Sequence, residues 1–255
     1  MTAPDRPTPA RLADQRALLF DLDGVLTPTA DVHMRAWSRL FTPYLAARGV
    51  DPYTEQDYFT YIDGKPRYDG VRSLLRSRGI ELPEGTPDDD PALDTVCGLG
   101  NRKNAEFTAE LDEHGVEPYP GSHRFLVAAI DAGYSVAVVS SSANAVSVLR
   151  TAGILERFPV IVDGLVARQD ALEGKPAPDT YLDAASRFGL TAAECVVVED
   201  ATSGVEAGRN GGFGLVVGVD RGAGSEQLRA HGADLVVTDL ADLIDDLRTT
   251  PAPTT

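Results

Sequence analysis

Asp21 and Asp23, two carboxylates one residue apart behind a short apolar run, have the types and spacing to do chemistry. The run Ala17-Leu18-Leu19-Phe20 has the composition of a buried strand, which sets Asp21 at the strand's carboxyl end, where open α/β sheets hold their ligands. Positions 21 and 23 share strand parity and so point roughly the same way. Gly24 lets the backbone turn tightly or approach a ligand closely. One carboxylate as nucleophile and a second as proton carrier make a phosphoryl-transfer centre. Read alone, the same pair also fits a solvated turn.

The elements around this pair follow from periodicity. Apolar residues at three- and four-residue spacing predict helices over 30–49, where Trp37, Leu40, Phe41, Tyr44 and Leu45 share a face, and over 53–62, 71–78 and 101–114. Asp63-Gly64-Lys65-Pro66 reads as a turn, and 84–91 as a solvated loop. From residue 119 the pattern changes. Apolar runs at 135–139, 160–162, 195–198, 215–217 and 235–237 predict strands, with helices over 123–131, 143–151, 180–188, 204–210 and 226–231. This alternation predicts an α/β fold with a mainly parallel sheet covered by helices. An all-helical block interrupts it after the first strand. The predicted division is therefore a core of 1–28 and 119–255 with an inserted helical domain of 29–118. Thr27-Pro28-Thr29 and Glu117-Pro118-Tyr119-Pro120 are the crossing points, short enough to hinge a lid.

Three more stretches fall at the ends of predicted strands. Ser140-Ser141-Ser142 offers hydroxyls and backbone N–H groups ahead of a helix, fit to hold a phosphate, although Ser140 alone also reads as a helix cap. Lys175-Pro176 carries a cation in a proline turn, a point charge suited to phosphate. Glu199-Asp200 can complete a hard-cation site of oxygen ligands with Asp21. Each is weak alone, and their joint placement at strand ends is the stronger signal.

The 255 residues can bury a sizeable core, and 43% apolar with 24% charged residues is ordinary for a globular protein. No stretch is long and apolar enough to cross a bilayer, and the opening MTAPDRPTPARLADQR lacks the apolar region of a secretory signal. Pro4, Pro7 and Pro9 predict a frayed leader. Cys97 and Cys195 give no disulfide framework, which fits a reducing, cytoplasmic setting. The net charge of -16 opposes binding to nucleic acid or an anionic membrane, but a few convergent cations can still hold an anionic small molecule. Gly98-Leu99-Gly100 and Gly212-Phe213-Gly214 lack the full dinucleotide-binding spacing and read as turns.

Taken together, these motifs resemble the haloacid dehalogenase-like (HAD) phosphotransferases, in the branch whose helical cap follows strand one, and the resemblance spans nearly the whole chain. The family's opening motif Asp-x-Asp-Gly-Val/Ile-x-Thr is matched by Asp21, Asp23, Gly24, Val25 and Thr27. Its serine, lysine and acidic motifs are matched by Ser140, Lys175 and Glu199-Asp200. The resemblance implies a Rossmann-like core, Asp21 as nucleophile and Asp23 as general acid and base. It also implies Ser140, Ser141 and Lys175 on the transferring phosphate. Mg2+ would be held by Asp21, the Asp23 carbonyl, Asp200 and Glu199, directly or through water.

Within the family the chain resembles sugar-phosphate mutases acting on β-glucose 1-phosphate, and the resemblance implies His33, Arg67, Lys103, Asn104, Ser142 and Asn144 as substrate contacts. Arg67 would grip the non-transferring phosphate, and His33 would couple substrate binding to Asp23. Both also read as local residues, a surface arginine and a helix-packing histidine. Two departures stand out: Ala143 replaces a family lysine, and Pro28 replaces a hinge aspartate. The region 82–95 is longer and more acidic than its family counterpart. The implied activity is a monomeric, Mg2+-dependent sugar-phosphate mutase. A small-sugar phosphatase is the alternative, and a non-catalytic phosphate-ligand protein a remoter one.

Overall fold

The computed structural model describes residues 11–248, so the predicted leader around Pro4, Pro7 and Pro9 lies outside the described residues. Strand β1 (Ala17–Phe20) leads into helices α1 (Thr29–Ala46) and α2 (Glu55–Asp57), the latter continued by a π-helical stretch Tyr58–Ile62. Helices α3 (Arg67–Ser77) and α4 (Val96–His114) follow. The chain then alternates through α5 (Pro120–Asp131), β2 (Ser135–Val139), α6 (Ala145–Thr151), β3 (Val160–Val162), α7 (Gly164–Gln169) and α8 (Asp179–Arg187). It ends with β4 (Cys195–Glu199), α9 (Thr202–Asn210), β5 (Leu215–Val219), α10 (Ser225–His231), β6 (Leu235–Val237) and a 3-10 stretch Leu240–Asp246.

The six strands form one parallel sheet in the order β3-β2-β1-β4-β5-β6. Strands β1, β4 and β5 are buried along their whole length, as near-continuous apolar runs require when helices cover both faces. Alternate residues supply the two faces. Leu18, Phe20, Val136, Val138, Val196 and Val198 pack toward α5 and α6, while Leu19, Ala137, Val139 and Val197 pack toward α8 and α9. A third apolar cluster, built on Trp37, Phe41, Tyr58, Val71, Leu74 and Leu99, lies among α1 to α4.

Register sets the site. Phe20 is level with Val138 of β2 and Val198 of β4, and the Asp21 N–H donates to the Val198 carbonyl at 2.9 Å. The residues just past β1, β2 and β4 therefore emerge side by side. The strand order reverses direction between β1 and β4, and a crevice at such a point is where open α/β sheets bind ligands.

Several predicted boundaries shift. Helix α4 begins at Val96, five residues before the expected start, so Gly98-Leu99-Gly100 is helix and not a turn. Its glycines are explained by space: a Cβ on Gly98 would strike the Leu93 carbonyl, and one on Gly100 the Tyr68 ring. Helix α3 begins at Arg67 rather than residue 71, which places that arginine in the first turn. Helix α6 begins at Ala145 rather than residue 143. Helix α7 went unpredicted. It is a single short helix capped by Asp163, whose Oδ1 accepts from Leu165 and Val166 N–H at 2.9 Å.

Candidate active site

Asp21 sits one residue beyond β1 and is 7% exposed. Lys175, buried below it, donates to Asp21 Oδ1 at 2.5 Å and to the Val139 carbonyl at 3.0 Å, and its Nζ lies 2.7 Å from Glu199 Oε1. Glu199 also accepts from the Tyr181 hydroxyl at 3.1 Å and from Asp200 and Ala201 N–H at 3.0 Å. One lysine thus faces two carboxylates in a region closed to water. Burial alone would lower its pKa, but Asp21 and Glu199 hold it well above the ordinary value. Burial raises the Asp21 pKa, opposed by Lys175 and reinforced by Glu199 and Asp23.

Oxygens of Asp21, Glu199 and Asp200 all lie within 4.8 Å of one another. Asp200 is pushed well above the carboxylate range by burial and by its acidic neighbours, Asp63 foremost. A buried all-oxygen cluster with more negative charge than Lys175 can balance fits a hard divalent cation. Gly24 makes room for it: φ is +85°, its N–H donates to the Thr27 carbonyl at 2.8 Å, and a Cβ there would overlap the Asp200 carboxylate.

Asp23 is held from the helical side. Thr29 and His33, four residues apart on α1, share one face, and both reach it. The Thr29 hydroxyl donates to Asp23 Oδ1, and His33 Nε2 lies 3.5 Å from the same oxygen. Ser140 Oγ lies 3.5 Å from Oδ2. Burial opposes ionisation of Asp23, but His33 and the Thr29 hydrogen bond outweigh it and hold the pKa below the ordinary value. His33 stacks on Phe107 at 4.1 Å, and Lys103 Nζ meets its Nδ1. With Nδ1 engaged by Lys103, the neutral tautomer that fits has its proton on Nε2, facing Asp23. Burial lowers the His33 pKa and brings that of Lys103 down to about 7.

A cavity of about 70 Å3 lies between Asp21 and Asp23 on one side and the helical residues His33, Arg67, Lys103 and Asn104 on the other. Arg67 approaches the Tyr68 hydroxyl at 3.5 Å, while its buried Nε has no partner among the described residues. Asn144 Nδ2 donates to Asn104 Oδ1 at 2.7 Å, joining the two sides. Ser142 lines the cavity and accepts from Asn144 N–H at 3.1 Å. The Ser140 hydroxyl accepts from Ser142 N–H at 3.1 Å, and the Ser141 hydroxyl donates to the Gly64 carbonyl at 2.7 Å. Ser141 therefore holds a helical-side loop in addition to lining the cavity. Ala143 lines the wall without charge.

The acidic region 82–95 contributes nothing to the cavity lining. It is tied to the outer helices by Arg72–Glu84 and Arg48–Asp94 at 2.6 Å. Asp63, in contrast, lines the cavity and was not singled out from the sequence. Burial and Glu199 push its pKa up to about 7, against a hydrogen bond from Tyr58. Its neighbours in sequence spell a solvated turn. It is half-buried because Ser203 donates to its carbonyl and Ser141 to that of Gly64, contacts far along the chain that no local pattern encodes.

A parallel sheet in this order, with a helical insertion after β1 and carboxylates, serine and lysine gathered at the strand ends, defines a Rossmann-like α/β phosphotransferase. The chain belongs to the haloacid dehalogenase-like hydrolase family, whose sequence model matches residues 15–212. It is 52% identical over 241 residues to a β-phosphoglucomutase of Mycobacterium tuberculosis, covering 90% of this chain and 91% of that protein. A β-phosphoglucomutase crystal structure from Clostridium difficile superposes with a TM-score of 0.73 at 25% identity, covering 90% of this chain and 93% of the other. A CbbY variant from Rhodobacter sphaeroides, crystallised with xylulose 1,5-bisphosphate, has a TM-score of 0.71 at 25% identity, covering 92% and 100%. Among the described residues no helix is long and apolar enough to cross a membrane.

Proposed function

We propose that this protein is a Mg2+-dependent β-phosphoglucomutase, converting β-glucose 1-phosphate to glucose 6-phosphate through glucose 1,6-bisphosphate. One observation carries the reading: one cavity is lined at the sheet by Asp21, which Lys175 pairs from beneath the lining, and on the helical side by Arg67, whose Nε has no partner among the described residues. A bisphosphorylated sugar needs an anion site at each end, and the planar guanidinium suits the one that does not react.

The aspartyl-phosphate at Asp21 passes its phosphoryl group to a sugar hydroxyl, whose proton the ionised Asp23 takes. When Asp21 then attacks the other phosphorus of the bisphosphate, the phosphorus–oxygen bond to the departing group breaks as Asp23 gives that oxygen the proton. Lys175 and Ser140 hold the transferring oxygens. A divalent cation at Asp21, Asp200 and the Asp23 carbonyl, with Glu199 directly or through water, would offset the charge that otherwise repels an anionic substrate. His33 keeps Asp23 facing the substrate, while Lys103, Asn104, Ser142 and Asn144 line the sugar space.

Residues 29–118 act in this reading as a lid on a core of 1–28 and 119–255, and the enzyme works as a monomer in a reducing cytoplasm. Lid closure excludes the water that would turn the same centre into a phosphatase. Ala143, which leaves one wall uncharged, favours that second outcome.

The test is to give the Mg2+-loaded protein β-glucose 1-phosphate with a trace of glucose 1,6-bisphosphate and follow isomerised ester and free phosphate together. Glucose 6-phosphate without matching phosphate release is expected, and Asp21→Asn should abolish it. Phosphate alone would establish the hydrolase instead. No turnover across a panel of sugar phosphates would point to another substrate class.

A further inference from the structure

The loop 63–66 crosses from the helical side onto the core at three points. Ser203 Oγ donates to the Asp63 carbonyl at 3.2 Å, Ser141 Oγ donates to the Gly64 carbonyl at 2.7 Å, and Pro66 packs where a Cβ on Gly174 would stand. These contacts come from the segments after β2, before α8 and after β4, the same segments that carry Ser140, Lys175 and Asp200. The loop's one charged acid is thereby brought over the acidic cluster. Asp63 and Asp200 both line the sugar cavity, and both also line a second cavity of about 130 Å3, reached past Asp31, Met34 and Arg221. Asp63 stands outside the group of oxygens close enough to share one ion directly.

A fourth carboxylate beside three buried ones costs free energy unless positive charge arrives. Its carboxylate takes hydrogen bonds from the Tyr58 hydroxyl and the Gly64 N–H, both neutral donors. We propose that Asp63 is a positioning residue for the cation at Asp21–Glu199–Asp200. It holds a water of that ion from the helical side, so that binding the ion draws the 63–66 loop and its helices onto the core. This rests on the proposed reading only in requiring that a divalent cation binds at the acidic cluster. Ligands one water removed from an ion commonly tune its affinity by about 10- to 100-fold.

The experiment titrates the full-length, metal-free protein with Mg2+ by calorimetry. It also follows emission of Trp37, the chain's one tryptophan, which lines the cavity from α1. Asp63→Asn is expected to weaken Mg2+ binding about ten-fold or more and to shift the Trp37 response to the same higher concentration. In EDTA, the same variant should melt at a higher temperature than the parent, because a like charge beside the acidic cluster has gone. Tyr58→Phe keeps the charge, removes the hydrogen bond and should leave Mg2+ affinity within about two-fold. Parental affinity in Asp63→Asn overturns the proposal, as does an equal loss in Tyr58→Phe, which would make Asp63 only an acceptor for Tyr58. A lower melting temperature in EDTA overturns it too, since it would mark a packing role. Absence of saturable Mg2+ binding by the parent would overturn the cation centre itself, and this inference with it.

Discussion

Lys103 shows how a single residue is tuned by where its helix places it. Its ammonium meets His33 and lies 5.1 Å from the Trp37 ring and 4.9 Å from that of Phe107, so it is nearly stripped of water. Burial brings its pKa to about 7, Arg67 pushes it down as well, and Asp23 pulls it up. The ordinary lysine value is near 10.4. Between these two values the unfolded chain holds a proton that the folded protein lacks. Stability from this group therefore rises with pH across that window, and the contribution is lost as pH falls through about 7. Urea unfolding at pH 7 and pH 9 should show the parent gaining about 2 kcal/mol relative to Lys103→Met over that interval. Equal slopes in the two proteins would mean that Lys103 keeps its proton in the folded state. In the proposed reading, an anionic sugar phosphate entering the cavity would favour the charged form of Lys103 beside His33.

At the scale of elements, the loop 63–66 couples the helical side to the strand ends, and Gly64 is its tightest point. Its φ is +70°, and a Cβ would overlap the Ser203 hydroxyl and crowd Ala201. Gly64→Ala should therefore cost about 1–2 kcal/mol, read by thermal unfolding, and raise KM for the sugar phosphate as the loop lifts from Ser203 and Ser141. Unchanged KM with lowered stability would confine the loop to a packing role. The strands that carry the core motifs were legible because each is a short, fully apolar run ended by polar residues, and parallel sheets bury such runs on both faces. Asp21, Ser140 and Glu199 could thus be placed at strand ends from sequence. The start of α4 was not legible, because Gly98 and Gly100 lower helix propensity for reasons that lie in Leu93 and Tyr68. The π-helical turn at Tyr58–Ile62 and the docking of Asp63 against Ser203 escaped for the same kind of reason: tertiary contacts fix them.

The whole molecule carries 39 acidic against 23 basic side chains and must still admit a doubly charged ester. Its cations are spent locally. Lys175 is locked to Asp21 and Glu199, and Lys103 and Arg67 face the cavity from the helices. Short-range attraction within the cavity is thus set against long-range repulsion from the body of the protein. The two differ in their response to salt. The Debye length falls from about 30 Å at 0.01 M to about 8 Å at 0.15 M, which screens the distant acids, while buried charges are screened much less. Adding NaCl across this range at fixed Mg2+ should therefore raise kcat/KM for β-glucose 1-phosphate by roughly two- to five-fold, in contrast to an enzyme that steers its anion with a positive surface. A steady fall in kcat/KM with salt would show instead that the field at the cavity mouth is already positive, with the 16 excess negative charges turned away from the path of the substrate.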